Sequence, residues 1–414
     1  MKFSTSGGAS LFNIAVRGLT IVSKFILIMY MARVLPTKDL GIYGLFVSTV
    51  TYSLYLVGMD YYNYVVRELL MLPESEWAWL IRDQFVFYLI TYSIIFPLLL
   101  LIFWGDLLPW NLIGWFFAIL VFEHLSQEIY RILIALHRPV LANLLSFFRL
   151  GAWVYAVMAV YLFTSFPKSL EVIWAGWLLG GGTCILIGGI ALKRAVDWTA
   201  IRSKPINWLA MWKGYRTATQ YLVATISLQA IYTADRYILK AFTSVAEVGV
   251  YSFFMSISMS IQSFLDAGVM IFSAPGVIKS YQSGDMVEYR KQKKKMRNSV
   301  LMWLLILSLG VIVIISPLLR YIGKEEFLLN LNSFYWLVAA TCLMALSNLP
   351  HYSLYARRKD RGLVRISVAS TVIFVLAAFL FTPIWGMAGL AASLTFAMGL
   401  LFVMKYAYLR HIDT

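Results

Sequence analysis

The chain has 414 residues, 61% of them hydrophobic and only 13% charged, with a formal net charge of +15. A water-soluble domain carries about 25% charged residues, so this composition excludes a soluble globular protein and makes lipid part of the solvent. The excess of Lys and Arg would suggest nucleic acid in a soluble protein, but here it is spread over the loops between long apolar runs, and no nucleic-acid partner is expected.

A helix crosses the hydrocarbon core with about 20 apolar residues. The first such run, near 10–33, has no small-residue cleavage site after it and reads as a retained signal-anchor. It carries Arg17 and Lys24, two turns apart on one helix face. Each cation costs about 2.5–3.5 kcal/mol near the bilayer centre, so both are expected to face a polar interior. The second run, near 40–65, contains Asp60 at a depth matching that of Arg17, which makes Arg17–Asp60 a candidate ion pair.

Runs near 85–104 and 111–136 follow. The latter holds "FEHLSQEIYR", in which Glu123, Gln127 and Arg131 recur every fourth residue and His124 and Glu128 form an adjoining pair. This polar stripe fits either hydrogen bonding between helices or a polar cavity wall, with His124 titrating nearest neutrality. In the run near 140–164, Arg149 lies as far from the turn at His137 and Pro139 as Glu128 does, so these two are also candidate partners. Lys24 has no obvious partner at its depth. The run near 170–192 contains Gly180, Gly181, Gly182, Gly188 and Gly189, a packing signal.

Residues 193–215 are basic, and "INWLAMWKG" within them reads as an interfacial helix on the inner leaflet. Six more runs complete the chain, near 216–239, 246–272, 298–318, 331–355, 363–383 and 386–407. Arg216 stands at the inner mouth of the first of these, Asp235 and Arg236 near its outer end, and Asp266 within the second. Twelve spans are therefore expected. The runs are too long and continuous for barrel strands, so the fold class is an all-α polytopic membrane protein.

With the N-terminus inside, the external loops hold Arg33, Lys38, Lys168, Lys240, Arg320 and Lys324, and four cations fall within spans: Arg17, Lys24, Arg149 and Arg236. The remaining 25 of the 35 Lys and Arg gather on the cytoplasmic side, a strong positive-inside bias that places both termini in the cytoplasm. The runs "YRKQKKKMR" and "ARRKDRGLVR" would also attract the anionic lipids of the inner leaflet.

"DLGIYGLF" at 39–46 matches "EVGVYSFF" at 247–254, an offset of 208 residues, about half the chain. Two six-helix bundles in the same orientation are expected, 1–200 and 201–414. Cys184 and Cys342 fall in apolar runs and offer neither a disulfide nor a metal site. HExxH and Walker A motifs are absent and the acids are scattered singly, so no enzyme, cofactor or metal is expected.

In "ARVLPTKDLGIYGLF" (32–46), "RILIALHRPVLANLLSFFRLG" (131–151) and "ADRYILKAFTSVAEVGVYSFF" (234–254) the chain resembles the polysaccharide transporters of the multidrug/oligosaccharidyl-lipid/polysaccharide superfamily, the bacterial O-antigen flippases. The resemblance runs over nearly the whole chain. It implies a V-shaped pair of bundles in the inner membrane with alternating access. It also implies translocation of an undecaprenyl-diphosphate-linked oligosaccharide from the inner to the outer leaflet, upstream of a glycan polymerase in the same membrane. For that passenger the candidate cations are Arg17, Lys24, Arg149 and Arg216. The candidate cavity or coupling groups are Asp60, Glu123, His124, Glu128, Asp235 and Asp266. A lipid II or other lipid-linked glycan flippase and a drug/cation antiporter of the same superfamily are the nearest alternatives, and a membrane glycan polymerase a more distant one.

Overall fold

The computed structural model describes residues 7–202 and 204–413, and among them the only regular structure is helical. The first six long segments are α1 (Gly7–Val34), α2 (Thr37–Gly58), α3 (Glu74–Trp104), α4 (Trp110–Ala135), α5 (Pro139–Phe163) and α6 (Leu170–Ala195). The next five are α7 (Trp208–Phe242), α8 (Val245–Gln282), α9 (Met286–Ile322), α10 (Leu331–Ala356) and α11 (Asp360–Asp413). All but α7 are long and apolar enough to cross a bilayer. Within α11, Gly386 takes φ 56 and ψ −135, a conformation open mainly to glycine, and divides the segment into two arms. With α7 and the two arms of α11 counted separately, the long helical segments among the described residues number twelve.

Local sequence explains the helix ends. Ser244 accepts the Glu247 amide at 3.2 Å and Asp285 the Glu288 amide at 2.9 Å, so side chains occupy orphan donors at the starts of α8 and α9. Gly323, at φ 75, closes α9 in the left-handed conformation. Two expected boundaries move. "INWLAMWKG" is not a separate interfacial helix. Most of it forms the first turns of α7, with Trp208, Leu209 and Trp212 exposed. α2 stops at Gly58, not near 65, because Met59 and Asp60 turn to φ 50 and 51 before a short helix at Tyr62–Met71.

The helices form two compact units. Unit 1 comprises Met1–Leu27 and Phe46–Ile226, and unit 2 comprises Ile28–Leu45 and Ser227–Thr414. Unit 1 buries a core around Tyr61, Val65, Tyr88, Ile132 and Leu145. The α6 glycines form its tightest seam: a Cβ at Gly188 would lie 2.4 Å from Ile129 and one at Gly180 2.6 Å from the Phe148 carbonyl oxygen. Unit 2 is built on aromatic packing, with the Phe253 and Phe327 rings edge to face at 5.0 Å. Lys324 donates to the Leu35 carbonyl, tying the start of α2 to the loop after α9.

The repeated sequence segments meet inside unit 2. A Cβ on Gly41 would lie 1.9 Å from the Val245 carbonyl oxygen, and one on Gly249 would lie 2.1 Å from that of Thr37. Gly41 and Gly249 are equivalent at the offset of 208, as are Thr37 and Val245. The two contacts are therefore one contact made twice with partners exchanged, as a local two-fold requires. Gly44 completes it by facing its own equivalent, Ser252, whose Oγ would stand 2.0 Å from an added Cβ.

Candidate functional site

The polar stripe of α4 lies at the centre of unit 1. Glu123, His124 and Glu128 are all buried there among apolar neighbours. A charge in such a place persists only when it is paired and hydrogen-bonded, and both carboxylates meet that condition.

Glu123 accepts from Arg149 Nη1 at 2.9 Å and from Trp177 Nε1 at 2.5 Å, so α4, α5 and α6 converge on one carboxylate. Glu128 accepts from Gln84 Nε2 and from the Tyr88 hydroxyl, each at 2.7 Å, and from Arg131 one turn along its own helix. The Arg131 guanidinium also lies 3.5 Å from the centroid of the Tyr62 ring, a cation–π contact. His124 shares a 2.6 Å hydrogen bond between Nδ1 and the Tyr92 hydroxyl. Its Nε2 is buried without a hydrogen-bond partner among the described residues, 3.9 Å from Glu128.

Two expected pairings are overturned. Arg149 joins Glu123 and not Glu128. It sits in a π-helical turn, Phe148–Ala152, whose extra residue rotates the side chain away from the direction that regular spacing predicts. Glu128 is already held by Arg131. Arg17 does not join Asp60 and makes no ion pair or hydrogen bond among the described residues. The depth argument assumed a continuous second helix, whereas the break at Met59–Asp60 carries the carboxylate toward Thr225 and Arg131. There Asp60 lines a cavity of about 50 Å³ with Thr51, Leu54, Tyr55, Gly58, Gln127 and Arg131, room enough for water. Asp60 lies beyond the end of α2. Burial pushes its carboxyl above the usual range, against the Thr225 hydrogen bond and the Arg131 charge.

Lys24 is exposed on α1, and Glu123 and Arg149 are the charges that act on it. It has no salt bridge and no hydrogen bond among the described residues. The next residue back, Ser23, is buried and bonds the Tyr155 hydroxyl at 3.1 Å, which packs this part of α1 against α5. Arg216 is exposed on α7 and joins none of these groups.

The remaining expected residues belong to unit 2. Asp235 is fully buried, paired with Arg236 at 3.1 Å and bonded by the Tyr251 hydroxyl at 2.9 Å. Asp266 opens a second π-helical turn, Asp266–Met270, and accepts from Gln262 Nε2 at 2.8 Å. Sequence reasoning noted Arg131 without carrying it forward, and it missed Gln84, Tyr88, Trp177 and Lys405. For the first two the signal was legible, since Gln84 and Tyr88 stand one turn apart in an otherwise apolar run.

No family model matches the chain, and no curated protein matches it. Solved structures do. An inward-facing multidrug resistance MATE family transporter of the MOP superfamily superposes with a TM-score of 0.76 at 12% identity, covering 97% of each chain. An outward-facing conformation, described in the same terms, gives a TM-score of 0.65 at 13% identity, covering 98% of this chain and 95% of that one. A MATE transporter of Vibrio cholerae, VcmN, gives 0.60 at 13% identity over 99% of this chain and 98% of its own. The chain thus has the fold of the MATE transporters of the MOP superfamily, that of a polytopic membrane protein of about twelve helices.

Proposed function

We propose that the protein is a flippase that carries a diphosphate-linked lipid oligosaccharide, an undecaprenyl-diphosphate-linked repeat unit, from the inner to the outer leaflet of the bacterial cytoplasmic membrane by alternating access. Both termini would be cytoplasmic. The observation that carries the reading is the asymmetry of pairing. The fully buried acids Glu128 and Asp235, and the nearly buried Glu123, each have an arginine. The cations Arg17 and Lys24 have no acid in direct contact among the described residues. A diphosphate must shed hydration to cross a low-dielectric region, and uncommitted cations replace what it loses. An inside-negative potential would favour outward movement by about 2.3 kcal/mol per charge per 100 mV.

The second reading is a drug/cation antiporter, which the multidrug transporters of the same fold favour. That chemistry asks for carboxylates free to hold a cation; Glu123 and Glu128 are committed to arginines, which leaves Asp60, beside its small cavity, as the unit 1 carboxyl for that role. The test is a proteoliposome assay of short-chain lipid-diphosphate oligosaccharide movement, run beside ethidium efflux. Lys24→Ala should abolish movement of the lipid while the protein still inserts, and Lys24→Arg should retain it. Ethidium efflux without lipid movement, or lipid movement indifferent to Lys24→Ala, would overturn the proposal.

A further inference from the structure

At 37 residues, α9 is too long for the bilayer. A rise of 1.5 Å per residue makes it about 55 Å long, whereas the hydrocarbon core is about 30 Å thick. The sequence shows which end stands outside. No charged residue occurs from Asn298 to Leu319, while six of the eight residues from Arg290 to Arg297 are Lys or Arg. The hydrocarbon boundary therefore falls near Asn298, and the first turns of α9 lie beyond it.

One face of these turns is held by α8. Tyr289 and Met296 are buried, and the Tyr289 ring meets that of Tyr281 edge to face at 5.2 Å. Lys293 Nζ lies 5.9 Å from the Tyr289 centroid, and a Cβ on Gly276 would lie 3.1 Å from Gln292 Oε1. These contacts fix which side chains turn outward. On the opposite face Arg290, Lys294 and Arg297 recur at i, i+4 and i+7, with Lys291 and Lys295 beside them, and all five are exposed. The same face runs on into Leu301, Met302 and Leu305, which are exposed as well. Those three lie at hydrocarbon depth, where acyl chains cover an exposed apolar stripe. The nearby acids are engaged elsewhere: Asp285 accepts the Glu288 amide, and Glu288 accepts from Gln292 at 2.6 Å and pairs with Lys291 at 3.5 Å. Lys294, Lys295 and Arg297 have no acid partner among the described residues.

We infer that Lys294, Lys295 and Arg297 form a binding site for the headgroup phosphate of an anionic phospholipid whose acyl chains pack on Leu301, Met302 and Leu305. The headgroup layer is about 5–8 Å thick on each side of the bilayer. Counted from Asn298, these three cations lie within about 6 Å of the hydrocarbon, and Lys291 and Arg290 lie about 10–12 Å from it. The outer two add long-range attraction without touching the head. Membrane topology alone would be served by cations anywhere in this connection. Here they stand on one face of a fixed helix, in line with the stripe that meets the chains. The site does not depend on what the protein carries.

The test reads the lipid beside this face. In a Cys184→Ala/Cys342→Ala background, Met302→Cys is labelled with a fluorophore and the full chain is reconstituted into phosphatidylcholine vesicles. Phosphatidylglycerol or phosphatidylcholine bearing a nitroxide quencher high on one acyl chain is then added in increasing mole fraction. Phosphatidylglycerol should reach half-quenching at a mole fraction about fivefold lower, the scale of one cation near an anionic surface. Lys294→Gln/Arg297→Gln should bring the two curves together. Arg290→Gln/Lys291→Gln removes as much charge farther out and should leave most of the preference. Inorganic phosphate should displace nothing, because the head is held together with its chains. Equal quenching by the two lipids in the parent overturns the inference. So does an equal loss in both double variants, the mark of diffuse attraction, or displacement by inorganic phosphate, the mark of an anion site that needs no lipid. A nitroxide-bearing polyprenyl diphosphate that quenches at a lower mole fraction than phosphatidylglycerol overturns it too, by giving this face to the passenger.

Discussion

Replacing Glu123 by Gln probes the junction of α4, α5 and α6. Gln is nearly isosteric, and its amide oxygen can still accept from Trp177, so that hydrogen bond is kept. Interhelical hydrogen bonds of this kind average only about 0.6 kcal/mol in membranes, so its fate matters little. The large effect is on Arg149, which is 8% exposed and already has a buried Nε without an acceptor. Removing one partner of a buried ion pair costs about 3–5 kcal/mol because the other charge is left uncompensated. Arg149 lies near the edge of full burial, so the low end applies, about 3 kcal/mol. Arg149→Met alone should also lower stability, by removing the arginine that balances Glu123. The double variant Glu123→Gln/Arg149→Met should recover most of the loss, since no charge then remains buried. The assay is thermal unfolding of detergent-solubilised protein, read as the order of the midpoints of all four proteins. Additive losses in the double variant, or a Glu123→Gln protein as stable as the parent, would refute the argument that this contact is a buried pair.

Gly41→Ala and Gly249→Ala should each lower the yield of folded protein sharply, because each Cβ would run into backbone at 1.9 Å and 2.1 Å. Overpacking costs about 1–3 kcal/mol where side chains can yield, and backbone yields less. Gly310→Ala, with open space around it, should be silent in the same expression and melting measurements. Asp60→Asn should stabilise the protein at neutral pH and lose that advantage in acid. The raised carboxyl of Asp60 favours the folded state only while protonated, so its contribution is present below the unfolded value and lost as pH rises through the folded one. Melting curves of both proteins from acid to neutral pH check the sign, and Asn tolerates the φ of 51 at this position. Arg82→Ala should speed tryptic cleavage of the 198–207 connection severalfold. Its Nη1 caps the carbonyls of Ile201 and Lys204 at 2.6 and 2.7 Å, whereas the exposed Lys204–Glu76 ion pair contributes little to holding that segment.

Spans and fold class were legible because each depends on composition along one dimension. Lipid forces long apolar runs, and close helix crossing forces glycines, so both leave marks in the sequence. The partners of the charges were not legible in the same way. Depth along a helix can be counted from its ends, but a match in depth does not say which helices adjoin or how each is rotated. A π-turn at Phe148–Ala152 was enough to send Arg149 to Glu123, and a break at Met59 enough to separate Asp60 from Arg17. Lys405 shows a different failure. Seen alone near the end of the last apolar run, it resembles a lysine reaching for the inner headgroups. Only the packing of α10 against the last arm of α11 reveals that its ammonium is enclosed.

These misreadings share a physical cause that also bears on function. In unit 1 the buried Glu128 and Glu123 take their arginines from a neighbouring turn and a neighbouring helix, which holds α4 and α5 against one another. A charge used in that way cannot also meet a passenger without breaking the bundle. Arg149, one of the four cations first marked for substrate, is therefore better suited to holding Glu123 near Lys24 than to leaving it. Glu123 then acts on Lys24 as a carboxylate whose charge is already balanced, so the Lys24 charge is not cancelled. Severing the Glu123–Arg149 pair from the arginine side should consequently impair transport. Arg149→Met frees Glu123 to bind Lys24, and it should raise the apparent KM for a lipid-diphosphate substrate while Lys24 remains in place. Glu123→Gln/Arg149→Met leaves Lys24 uncommitted and should restore it. If the single and double variants shared one KM, Lys24 would not be the group that meets the anion.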